Sequence, residues 1–189
     1  MNKDKVKMQD FVDATVMRSA GAKESFSLHG YYGPIECRDA KGNLKWTAII
    51  DNLVTSLGKN LTLNTILGNA SAGVVYMGLK STGATNIADT QASHAGWLEV
   101  GGLNLPTYTA PRKTPTFSAA AAGSKATATP VIFNLTNSGT VAGCFINIGG
   151  LSTVDDTTGT LFSVGDFTTG NKIVSNGDVL SVPFSLVIA

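Results

Sequence analysis

The stretch "VLSVPFSLVI", Val179 to Ile188, decides how this chain folds. Leu180, Val182, Phe184, Leu186 and Ile188 recur at every second position, with Ser181, Pro183 and Ser185 between them. Successive side chains of a strand point to opposite faces, so the spacing predicts a strand with one apolar and one lightly polar face. Pro183 has no amide hydrogen to give to a ladder, which predicts either an edge strand or a bulge at that residue.

Working back towards the N-terminus, the same texture recurs in short runs. "FSLHGYYGPIECRD" and "LKWTAIIDNLVT" flank the turn signal "AKGN", which predicts a hairpin through Lys41–Asn43. "GVVYMGLKST" and Trp97 to Val100 read as further strands. Val131, Phe133 and Leu135 alternate before "TNSGT", which predicts a second hairpin returning along Val141 to Ile148. Only "SLGKNLTLNTILG", Ser56 to Gly68, spaces its leucines and isoleucine as a helix face and ends in glycine. Many short strands with one short helix predict a mainly β fold, an antiparallel β-sandwich of jelly-roll-like form.

Residues 1–25 differ from this body. They mix charges with the apolar set Val6, Met8, Phe11, Val12, Val16 and Met17, and the first sixty residues hold nine of the fourteen Lys and Arg. This predicts an N-terminal arm or short helix over 1–25, with Phe11 and Val12 as candidate interface side chains, and a single β-sandwich domain over 26–189.

The 189 residues suffice for a core without metals or disulfides. Charged residues make up 14%, against roughly 25% in ordinary soluble domains, so the polar surface is expected to be Ser, Thr and Asn. A net charge of +1 offers no footprint for nucleic acid or an anionic membrane. No run of about 20 apolar residues and no signal-peptide pattern occurs, which predicts synthesis in the cytoplasm. Cys37 and Cys144 lack metal-ligand spacing, and Cys144 lies in the apolar run "VAGCFINI" as a buried thiol.

Chemistry has few candidates. His94, in "TQASHAGWLEV", lies near Ser93 and Asp89, but triads are assembled from distant segments and adjacent strand residues point apart. His29 sits in a strand pattern beside Gly30 and Tyr31. "SLGK" at Ser56–Lys59 matches S-x-x-K without its companion motifs, and Asp155-Asp156 reads as a solvated hairpin loop without a D-x-D-x-D-G pattern. The residues predict no catalytic, cofactor-binding or metal site. His94 and Trp97 are expected to be structural, with Trp97 holding the loop on the body and His94 capping it, and Trp46 joins them as a structural or interface candidate. An exposed aromatic platform for a glycan is the minor alternative.

Six blocks, "GNLKWTAIIDNLVTSLGKN", "YMGLKST", "ADTQASHAGWLEV", "GTVAGCFI", "GTLFSVGDF" and "VSNGDVLSV", resemble in this order a family of small virion structural proteins of tailed bacteriophages. The resemblance covers roughly Gly42 to Ala189. It implies a non-enzymatic capsid decoration or cement protein, made in the host bacterial cytoplasm, that binds an HK97-type head shell after expansion. The implied partners are the major capsid protein and copies of itself as trimers or dimers, with no direct nucleic acid, membrane or cofactor. A tail or neck component, or a receptor-binding module, is the other role such β proteins fill.

Overall fold

The structure is a computed structural model that describes residues 27–68, 71–94 and 96–188. The 1–25 arm, with Phe11 and Val12, lies outside the described residues. In chain order the elements are β1 (Leu28–Arg38), β2 (Leu44–Val54), α1 (Ser56–Ile66), β3 (Val75–Gly83) and β4 (Trp97–Glu99). Then follow β5 (Ser124–Ala126), β6 (Val131–Asn134), β7 (Gly139–Val141), β8 (Gly143–Ile148), β9 (Thr160–Asp166), β10 (Lys172–Val174), β11 (Val179–Val182) and β12 (Phe184–Ile188). Among the described residues the fold is mainly β, antiparallel and curled into a sandwich-like body with one short helix.

One ladder runs β4-β3-β8-β9-β2-β1-β11-β6, with β12 and β5 joined through β1. Strand β2 is the hinge of the curl. Its first part pairs with β1, while Leu53 and Val54 at its end pair with Val164 and Ser163 of β9. Tyr32, Ile35 and Ile50 from one leaf and Met77, Leu79, Cys144 and Ile146 from the other therefore share a buried core. Strands β8 and β9 are buried on both faces, and their outward residues Phe145, Leu161 and Val164 form a second cluster with Trp97.

The terminal strand behaves as its period predicts: Leu180 and Val182 are fully buried, Phe184 nearly so, and Ile188 reaches the surface. Pro183 falls in the gap between β11 and β12, where the facing stretch of β1 is Gly33–Ile35. Tyr32 faces Phe184 and Glu36 faces Ser181, while the β1–β2 register shifts between Tyr32 and Ile35. Pro34 and Pro183 both lack an amide hydrogen, and each falls where a ladder is interrupted. The bulge-like interruption is realised, and the strand is not an edge, since β11 lies between β1 and β6 and β12 between β1 and β5.

The hairpin through Lys41–Asn43 forms: Asp39 accepts from the amides of Lys41 and Asn43, and β1 pairs with β2. The hairpin expected around "TNSGT" does not. Strand β6 pairs instead with β11, setting Phe133 beside Leu180 and Val131 beside Val182, so that two apolar faces align. Strand β7 pairs with β10, and β8 lies between β3 and β9. The turn residues allow a reversal there, but long-range burial of both faces of β8 chooses its partners.

Helix α1 starts at Thr55, whose side chain accepts from the Gly58 amide. Gly58 is the buried residue of this helix, and a Cβ there would stand 2.2 Å from the carbonyl oxygen of Phe162 in β9. Alanine favours a helix over glycine by about 1 kcal/mol, yet forcing a methyl against fixed backbone costs about 1–3 kcal/mol. Gly58→Ala is therefore expected to destabilise the protein by up to about 2 kcal/mol. A denaturation midpoint that rises instead would show that α1 moves off β9 freely.

Candidate functional site

The densest chemistry gathers where β4 meets the loops before and after it. Within β4, Trp97 and Glu99 point inward and Leu98 outward, as strand alternation requires. The indole of Trp97 packs on Phe145 at 5.5 Å between ring centres and donates its Nε1 hydrogen to Asp89 at 2.9 Å. The His94 ring stacks on Trp97 at 4.0 Å, and its Nδ1 lies 2.9 Å from the Trp97 carbonyl.

Glu99 meets Arg112, from the proline-rich segment after β4, in a two-point contact: Nε to Oε1 at 2.9 Å and Nη2 to Oε2 at 2.6 Å. Both side chains are buried. The guanidinium also donates to the carbonyls of Leu151 and Asp156, and the Asp155 amide donates to Glu99. Gln91, from the other loop, donates to the same Asp156 carbonyl. Arg112 thus ties the β8–β9 loop to β4, with the loop before β4 held at the same carbonyl. Burial pushes the Glu99 carboxyl above its ordinary value, with Arg112 pulling the other way. For Arg112, burial works against the charge, but Glu99 wins and holds the guanidinium above its ordinary value.

Lys80 and Asp178 are buried as well. The Lys80 ammonium, near the Trp97 ring, pairs with Asp166 at 2.6 Å and donates to the Gly83 carbonyl. Asp178 accepts from Lys45, from the Ser175 amide and from the Cys37 thiol. Burial first, and Asp178 second, push Cys37 up to about 12, and burial raises Cys144 well above the ordinary thiol range. Such thiols are poor nucleophiles.

The structure brings His94 and Trp97 together but does not assemble Ser93, His94 and Asp89. Asp89 is engaged by Trp97 and by the Asn86 amide, and His94 by Trp97. His29 is exposed on β1 beside Ser27. Ser56 and Lys59 stand exposed on the first turn of α1. Asp155 and Asp156 lie in the β8–β9 loop, as predicted, but that loop is pinned by Arg112 rather than merely solvated. Trp46 is half-buried, edge-on to Phe167 at 5.7 Å, and donates to the Ile173 carbonyl. With Trp97, Tyr32 and Tyr108 buried, these three rings offer no open platform for a sugar. Among the described residues, no group of three or more His, Cys, Asp or Glu side chains is placed to hold a metal ion.

Sequence reasoning missed the Arg112–Glu99 pair. The available signal was a lone arginine and a lone glutamate within apolar or proline-rich segments of a chain short of charge, where such a residue is a candidate for an interior pair.

His94→Ala removes a half-buried ring whose contacts are all local. A loss of no more than about 1 kcal/mol is expected, comparable to one hydrogen bond; calorimetry showing several times that loss would give His94 a larger structural role. No family model, curated protein or solved structure matches this chain.

Proposed function

We propose that this chain is a non-enzymatic structural protein of a tailed-bacteriophage virion, acting as a decoration protein that binds in many copies to the major capsid protein and to itself. The observation that carries this reading is a set of large aliphatic side chains at the surface of a body whose interior holds paired charges. Arg112, Glu99, Lys80 and Asp178 are buried, while Leu103 is 95% exposed and Leu67 and Ile173 are each 74% exposed. Each such side chain can enter an interface core, and interface cores are depleted in charge. The motif resemblance supplies the partner, and the buried ion pairs supply a rigid body that can add contact area to a shell.

Mechanically, each copy would bridge capsid subunits and resist outward pressure through added buried surface. An interface of standard size buries about 1,600 Å² in total, and repetition over many sites multiplies its effect. Purified protein mixed with expanded head shells lacking it is expected to co-sediment at fixed stoichiometry. Leu103→Asp should lower occupancy at least tenfold with the melting temperature unchanged. No binding to any head shell would sink the reading.

A further inference from the structure

Helix α1 carries Leu57, Leu61, Leu63 and Ile66, with Leu67 just beyond, yet its buried residue is Gly58. Ile66 is 64% exposed. Helices in proteins draw most of their stability from burying an apolar face, so this one is short of a partner. Below it lies an apolar groove of about 360 Å³, walled by Leu61 and Ile66 of α1 and by Val75, Phe117, Ile148 and Leu186. A second cavity of about 330 Å³ shares Thr62 with the groove and is lined by Leu28, His29, Lys59 and Leu63. Ser27, where the described chain begins, and Leu28, which opens β1, both line this second cavity, so the upstream segment issues beside the groove.

We propose that this groove is the docking site for the N-terminal segment of the same copy in the free protein, with Val6, Met8, Phe11, Val12, Val16 and Met17 as the occupying side chains. The segment supplies the chemistry the groove lacks, a run of apolar side chains set among charges that can stay in water. Its length also fits. Residues 18–26, fully extended, reach about 30 Å, whereas α1 is only about 16 Å long. A tether this short sets an effective concentration of order millimolar, so the copy's own segment outcompetes that of a second copy at micromolar protein. The arm that the sequence presents as a candidate interface is then stowed on its own body until a capsid partner displaces it.

The test uses the full-length free protein, so its outcome does not depend on the virion reading. Ile66→Asp places a charge on the groove wall at an exposed position. It is expected to speed tryptic cleavage after Lys7 and Arg18 at least tenfold, whereas Ile173→Asp, at a still more exposed position on β10, leaves the rate unchanged. Equal rates in wild type and Ile66→Asp, or the same acceleration from Ile173→Asp, overturn the proposal. Under mild oxidation, Phe11→Cys with Ile66→Cys should form a disulfide within one chain, the buried native thiols staying out of the reaction. A disulfide between chains would give the groove to a second copy and overturn the proposal, as would none.

Discussion

Arg112→Met is expected to cost about 3–5 kcal/mol, because it leaves the buried Glu99 carboxylate without its counter-charge. Methionine keeps most of the volume, so the loss reports the charge rather than a cavity. It also frees the carbonyls of Leu151 and Asp156, loosening the β8–β9 loop from β4. The dependence on pH has a definite sign. Burial already raises Glu99, and without Arg112 its folded-state pKa rises further above the unfolded value. The variant's stability then falls as pH rises from the unfolded carboxyl value towards the folded one, and is regained as pH falls and the carboxyl is protonated. The deficit against wild type should therefore be largest at neutral pH and shrink in mild acid. Arg112→Met with Glu99→Gln, which removes both charges, should recover most of it. A single-variant deficit below about 1 kcal/mol in urea unfolding would mean that the pair is no stronger than a surface one.

Trp97→Ala should cost about 3–5 kcal/mol, the range for truncating a buried aromatic. The ring is 2% exposed and belongs to the outer cluster with Phe145, Leu161 and Val164. Its loss opens a cavity, removes the support on which His94 stacks, and deprives the buried Asp89 carboxylate of the indole hydrogen. Coupling follows from that geometry. Adding His94→Ala to Trp97→Ala should cost less than His94→Ala alone, since the stacking partner is already gone while the backbone carbonyl that His94 contacts remains. Full additivity of the two in a double-mutant cycle would mean that the rings do not support each other.

What could be read from the sequence divides by range. The β1–β2 hairpin and helix α1 are set by nearby residues, the Asp39 turn in one and the Thr55 cap in the other, and both were legible. The alternation of Val179–Ile188 showed which side chains enter the core. Strand partners were another matter: "TNSGT" advertises a hairpin, but β6 joins β11, more than forty residues on, because Phe133 and Leu180 bury each other's apolar faces. The His94–Trp97 contact was legible as a local pair. Arg112 and Glu99 were not, since their pairing depends on how the proline-rich segment lies under β4. Such charge pairs hold the loops, and the exposed aliphatics that motivate the functional proposal can be told from core residues only once the strands are placed.

The central claim is that this chain covers a phage head in many copies, and its most direct test is the number of copies per purified virion by quantitative mass spectrometry. The account predicts hundreds, in fixed ratio to the major capsid protein. Six or twelve copies would move the protein to the tail or neck, and its absence from intact particles would contradict the account altogether.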